Sequence, residues 1–458
     1  MSGSDCTMNR GGNTLVFVTA KTRNLCCRRH GGTVSKHHRR TLSDRAGGDR
    51  SPQPRDRQLT HMSTLPLSIT AHQTDWEYRI TSLLWTGCAL SIAFANVPTI
   101  PAIVFVSAVL LYCVLFPVRP YRALTWHLVP WVIVLFGALS FIWSYQPIQS
   151  LRAAAQIALS VLAALMFADG LRARSFIATT MFAFITANVV HLFVPTVFGS
   201  KNTVGLSLAI VTLSSLWVML DRQQPAIVRV IALLALSAAP PMLISANSAG
   251  ALLAGVLAVV CSLLPFLMRR LQPNTRIFLT CVCAFAGGTA VAFSLLLFDN
   301  LYDLLLLSIG KDVSLSGRTI LWSHALDVIA DHPLGVGLQA FWDESNIEAV
   351  RLWEVSYNDG HHGYHFHDLW LEIGVELGVP GIVIAAATTL FVFFSVWRWA
   401  LPNPEPESCF FAGFVTLMLS LTVSEVELYS QFTLTTMLFL AAYCYADSAK
   451  RGSPLRKA

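Results

Sequence analysis

Residues 249–268 read AGALLAGVLAVVCSLLPFLM, and Arg269-Arg270 follow at once. Twenty consecutive residues without a formal charge match the length an α-helix needs to cross about 30 Å of hydrocarbon. Outward from this stretch the pattern recurs, with apolar runs of similar length separated by short polar breaks. Only helices or closed barrels satisfy every backbone amide in lipid, and these runs lack the alternation of barrel strands. Composition agrees. The chain is 54% hydrophobic and 13% charged, with a mean hydropathy of +0.57, whereas soluble domains carry about 25% charged residues.

Reading outward gives about twelve spans, at 80–98, 100–117, 125–144, 152–169, 175–195, 202–220, 227–244, 249–268, 277–298, 379–400, 408–425 and 428–447. The expected fold is an all-α membrane protein with one large extracytoplasmic loop carrying amphipathic helices. Its parts are a basic cytoplasmic tail (1–78), helices one to nine (79–298), the loop (299–378), helices ten to twelve (379–447) and a cytoplasmic tail (448–458). An internal N-terminus puts Arg119, Arg122, Arg172, Arg174, Arg222, Arg229, Arg269, Arg270, Arg276, Arg398 and the C-terminal basic residues in the cytoplasm. Arg152, Lys201, Lys311, Arg318 and Arg351 are left outside, as the positive-inside rule requires. The net charge of +6 is therefore a membrane signal, and no nucleic-acid partner is expected. The first 74 residues, rich in Arg, His, Gly and Ser, are expected to be disordered, with Met62 as an alternative start. None of the ten cysteines falls in the large loop, so neither a disulfide framework nor a Cys-x-x-Cys metal site is indicated.

Within the loop, Asn300 to Ile309 has a leucine-rich face, and Arg318 to Ala330 repeats apolar residues at helical spacing. Both fit helices lying on the membrane surface. His332-Pro333-Leu334-Gly335 ends the second.

The densest cluster of titratable side chains is Asp359-Gly360-His361-His362-Gly363-Tyr364-His365-Phe366-His367-Asp368-Leu369-Trp370-Leu371-Glu372. The four histidines match no familiar metal-site spacing, so no metal is expected. One histidine at the start of a helix near His367 reads instead as a general base, because imidazole titrates near neutrality. Arg318 either pairs with a nearby acid such as Asp312 or clamps a phosphate with its rigid fork of donors. Lys201 and Asn202 open a span after Gly199-Ser200, where free amides favour an anion. Arg152 is a third outward cation. Each of Arg152 and Lys201 alone could simply snorkel to headgroups, but their shared face makes a common anion site with Arg318 worth proposing. Glu425, Glu427 and His191 are adequately explained by interfacial solvation. Ionisable residues are nearly absent from the hydrocarbon region, which argues against an ion-coupled pump.

Three segments together resemble the bacterial O-antigen ligase and polymerase superfamily, exopolysaccharide polymerases included. They are Gly199-Ser200-Lys201-Asn202-Thr203-Val204-Gly205; Ser316-Gly317-Arg318-Thr319-Ile320-Leu321-Trp322 running on to His332-Pro333-Leu334-Gly335-Val336-Gly337; and His367-Asp368-Leu369-Trp370-Leu371-Glu372-Ile373-Gly374-Val375-Glu376-Leu377-Gly378. The resemblance implies a metal-independent, cofactor-free membrane glycosyltransferase of the GT-C type in the bacterial inner membrane. It would move a glycan from an undecaprenyl diphosphate carrier to a glycan or lipid-core hydroxyl on the periplasmic face. His367 matches the family's essential histidine and Arg318 its loop arginine. Arg152, Lys201, Asn202 and Arg318 would bind the diphosphate, with Asp368 or Glu372 orienting the imidazole. Asp368 stands where the family usually has Asn, and Ser245-Ala246-Asn247-Ser248-Ala249 lacks an arginine often found there, which implies that the diphosphate contacts are distributed differently. The rival reading is a transporter or flippase, for which Pro240 and Pro241, near one end of a span, offer little.

Overall fold

A computed structural model describes residues 75–93, 100–297, 318–355 and 364–451; these contain helices and no strands. The main elements are α1 (Asp75–Ala93), α2 (Ile100–Leu115), α3 (Val118–Trp126), α4 (Val129–Leu139), α5 (Pro147–Gly170), α6 (Ala173–Phe193), α7 (Lys201–Leu220), α8 (Ala226–Ser245), α9 (Ala249–Leu267) and α10 (Pro273–Leu297). They continue as α11 (Arg318–Asp331), α12 (Ile347–Val355), α13 (Leu369–Ala400), α14 (Pro406–Leu421) and α15 (Leu434–Lys450).

Six of these, α5 to α9 and α13, are long and apolar enough to cross a membrane, and α2 with α3 makes a seventh if that bent pair is one span. Twelve were expected. At one of the unmatched runs a proline interrupts the helix. Pro117 sits in the break between α2 and α3, which bend by 101°, since proline removes a ladder donor and clashes with the preceding turn. The run expected at 125–144 folds as the short α4 and a 3-10 turn, Ser140–Ile142, and α14 has only 16 residues. In the large loop, the amphipathic stretch from Arg318 forms α11 as expected, whereas 300–309 lies outside the described residues.

Small residues set the helix packing. α7 packs on α8, α9 and α14, and a Cβ at Gly205 would strike Ser248 and Ala251 of the α9 end, while one at Gly413 of α14 would strike Leu213 and Ser262. Close backbone approach through small side chains is the usual basis of helix association in lipid, where apolar burial gives no advantage between helices. The loop has its own core. Leu321, Ala325 and Val328 of α11 bury against Phe341, Leu352, Trp353 and Phe366, separately from the main bundle core.

A helix break ties the two together. Gly378 has φ +66°, interrupting α13, and Pro380 follows two residues later. The Glu376 carbonyl therefore has no helical N–H to meet, because proline at i+4 lacks one. The strap after α11 supplies the missing partners: Val336 N donates to Val375 O and Gly337 N to Glu376 O, both at 2.9 Å, and Val379 N donates to Pro333 O at 3.0 Å. A side chain at Gly335 (φ +76°) would run into the Glu376 backbone. These glycines let two backbones touch, and the contact fixes α11 on α13.

Candidate active site

Three helices meet at one end of the bundle. α7 begins there, with Asn202 in its first turn, α9 begins there after Ser248, and α14 ends there at Leu421, with Arg318 of α11 and Glu425 completing the crevice they line. Glu425 is the hub. Its Oε1 accepts from Arg318 Nη2 at 3.0 Å and from Asn202 Nδ2 at 2.7 Å, and its Oε2 lies 3.6 Å from His367 Nδ1. Arg318 also donates through Nη1 to the Ser424 carbonyl at 3.0 Å, and Ser248 Oγ donates to Asn202 Oδ1 at 3.2 Å. Burial alone would raise the Glu425 carboxyl, but hydrogen bonding and charge from His367, with Arg318, outweigh it and hold it below its usual range. Glu425 is thus an anion clamped between a guanidinium and an imidazole.

His367 is held in an unusual backbone. Its φ of +54° is left-handed, which a non-glycine residue adopts only when its surroundings over-determine it. Those surroundings are visible. His367 N donates to His365 Nδ1 at 3.0 Å, Phe366 N to Glu372 Oε2 at 2.8 Å, and Trp322 Nε1 to the Phe366 carbonyl at 2.9 Å. Asp368 then caps α13, its Oδ1 accepting from Trp370 N and Leu371 N, and Leu369 N donates to the Thr422 carbonyl. The result presents a quarter-exposed imidazole at the mouth of the crevice, 3.4 Å from Arg318 Nη2.

His365 behaves differently. Its ring lies tilted with its centre 4.1 Å from that of His367, and burial, then the neighbouring His367, push its pKa down to about 4. It is neutral at physiological pH, with Nδ1 as an acceptor. Ligand atoms of His365, His367 and Glu425 lie within 4.8 Å of one another, a spacing that could hold a metal, although the Arg318 guanidinium already faces two of the three groups. His361 and His362 lie outside the described residues, as does Asp312.

The predicted site residues divide into groups. Arg318, His367 and Asn202 come together around Glu425. Lys201, the exposed first residue of α7, and Arg152, which is exposed on α5, do not join them; Arg152 instead borders a largely apolar groove with Ile103, Val106, Leu159 and Phe432. Asp368 and Glu372 hold the backbone around the imidazole rather than the imidazole itself: Glu372 takes the Phe366 N–H and, at 3.1 Å, Trp342 Nε1. The imidazole's carboxylate partner is Glu425, which the sequence offered only as an interfacial residue.

The architecture is that of a polytopic helical membrane protein in which a short helix outside the six apolar spans sets an arginine beside a histidine at the helix ends. Residues 231–386, about a third of the chain, match the family model described as O-antigen ligase. The match includes Arg318 and His367 but stops short of Glu425. The chain is also 30% identical over 189 residues to the exopolysaccharide production protein ExoQ of Rhizobium meliloti (strain 1021). That similarity covers 41% of this chain and 42% of the relative, so the chain spans less than half the length of the protein it resembles. The apolar helices are those of a multi-pass membrane protein.

Proposed function

We propose that this protein is an inverting, metal-independent glycosyltransferase of the bacterial inner membrane. It takes a glycan from an undecaprenyl diphosphate carrier and attaches it to an acceptor hydroxyl on the periplasmic face, with about twelve spans and both termini in the cytoplasm. The observation that carries the reading is the Arg318–His367–Glu425 cluster, drawn from three distant segments and held on a strained backbone. Likeness to an exopolysaccharide production protein favours an exopolysaccharide product over a lipopolysaccharide one.

With Nδ1–H directed at Glu425, the Nε2 lone pair of His367 is free to take the proton of the attacking hydroxyl. The acceptor oxygen bonds to the anomeric carbon as the bond from that carbon to the diphosphate oxygen breaks, the electron pair staying on the diphosphate. Displacement from the opposite side inverts the centre. Arg318 spends one N–H on Ser424 and one on Glu425, and a guanidinium has five, so donors remain to offset charge growing on the leaving group. A fixed cation at that point supplies what a metal would. Arg152 and Lys201 lie further out and would draw in the diphosphate, and the apolar groove beside Arg152 has the lining a prenyl chain needs.

The test is His367→Ala in purified, lipid-reconstituted protein supplied with lipid-linked donor. Loss of a general base is expected to slow transfer by roughly 10²- to 10⁴-fold. Unchanged transfer would remove His367 from the mechanism.

A further inference from the structure

At the opposite end of the same helices lies a second site, independent of the reading above. α7 runs from Lys201 to Leu220, and its 20 residues put the two ends about 30 Å apart. A cavity of about 820 Å³ opens there among Arg174, Arg222, Arg269, Arg270 and Arg276, with residues 402–406 as its lip. Two carboxylates, Asp221 and Glu405, face these five cations. Arg174 is already committed, its Nε 3.1 Å from Asp221 and 3.4 Å from Glu407.

The others are not neutralised. Arg276 is 3% exposed and donates only to carbonyls, those of Leu401, Pro402 (2.8 Å) and Arg269; among the described residues no carboxylate lies within ion-pair distance of it. A buried charge without a counter-charge is costly. Arg269 is propped upright with its guanidinium 4.2 Å from the Phe266 ring, and Arg222 and Arg270 are exposed without an ion-pair partner among the described residues. The arrangement has a polarised floor, a rim of forked donors and the volume of a ligand site.

We infer that this cavity binds a phosphate-bearing anion. Guanidinium forks match phosphate oxygens two at a time, and the cavity is too large for orthophosphate alone. The phosphate could belong to an anionic lipid headgroup, since α9 ends at the rim, or to a soluble phosphorylated molecule.

Full-length protein in zwitterionic detergent would be titrated with inorganic pyrophosphate, and the same protein would be mixed with phosphatidylcholine vesicles with and without phosphatidylglycerol. Both titrations are repeated on Arg318→Ala, which removes the phosphate affinity proposed for the active site. Binding that survives Arg318→Ala and weakens at least ~10-fold in the Arg222→Ala/Arg269→Ala/Arg270→Ala triple variant belongs to this cavity. Pyrophosphate binding identifies a soluble ligand, and selective phosphatidylglycerol binding identifies a headgroup. Arg270→Glu, which reverses one exposed charge and leaves the buried arginines in place, should weaken binding too and guards against misfolding of the triple variant. Absence of both kinds of binding in Arg318→Ala, or equal binding by Arg270→Glu and its parent, overturns the inference.

Discussion

Two ion pairs at opposite ends of the bundle are nearly the same object. Arg318–Glu425 and Arg119–Asp169 are 17% and 14% exposed at the cation and carboxylate respectively, in both cases, with N–O distances of 3.0 and 2.6 Å. They differ in what else touches the carboxylate. Asp169, in the last turn of α5, is approached by a second arginine, Arg122, at 3.7 Å, which offsets an acid placed at the unfavourable end of a helix dipole. Glu425 is approached by an imidazole and an amide. One pair closes a helix end; the other adds a group that can carry a proton.

The backbone draws the same distinction. All five non-glycine residues with positive φ among those described, Asn247, Gln339, His367, Tyr429 and Phe432, lie in segments at the Glu425 end. Each such residue costs of order 1–3 kcal/mol and persists only where the surrounding structure over-determines it. The turns at the Asp169 end use ordinary backbone, so burial and charge alone do not mark a site, but burial, charge and strain together do.

The sharpest way to break this comparison is to neutralise both carboxylates. Glu425→Gln should reduce glycan transfer by at least ~10-fold, because Arg318 and His367 lose the group that orients them. Asp169→Asn should leave transfer intact while lowering stability by about 1–3 kcal/mol. Transfer rates on reconstituted protein and thermal melts of the same samples check both, and equal transfer losses would mean that the two pairs are merely structural.

How much of this was legible in the sequence depended on whether the signal was local. Arg318 and His367 announced themselves because the segments carrying them fold by nearby rules: an amphipathic repeat opened by Arg318, a capping Asp368 after His367, a Pro-Gly stop. Asn202 was legible as the start of a helix. Glu425 was not, since a glutamate in a short link between spans reads the same whether it faces headgroups or a guanidinium 107 positions away. The bend between α2 and α3 was hidden for a similar reason. Hydropathy sums over a window and does not register where one proline bends a helix, as at Pro117, and the break at Gly378 was invisible until the strap at 333–337 was seen to take up its carbonyls.

That break offers a test of intermediate size. At Gly378 an alanine Cβ would collide with the Pro333 carbonyl and Leu334 in a backbone that disfavours any side chain, and Gly378→Ala should cost more than about 1–3 kcal/mol. At Gly87 in α1 nothing lies within 4 Å of the new methyl, so Gly87→Ala should be neutral or gain up to about 1 kcal/mol. Because the strap seats α11, the first substitution should also depress transfer in the fraction that remains folded. A stable, fully active Gly378→Ala protein would sever the link between that break and the position of Arg318.

The smallest effect separates two acids of the link between α14 and α15. Glu427, two residues beyond Glu425, is pushed up to about 8 by burial and then by Glu425's charge, so it is mostly protonated at neutral pH. A carboxyl raised in the folded state lends stability that is complete below its unfolded value of 4.5 and is lost as pH rises through about 8. Glu425 has the opposite sign: its depressed carboxyl lends stability above the unfolded value, lost as pH falls through the folded one. Glu427→Gln should therefore melt with the wild type at pH 5 and above it at pH 9, since the amide stays neutral where the carboxylate must ionise in a buried site. Melting curves that run parallel across that range would place Glu427 in water and deny the link between α14 and α15 its buried character.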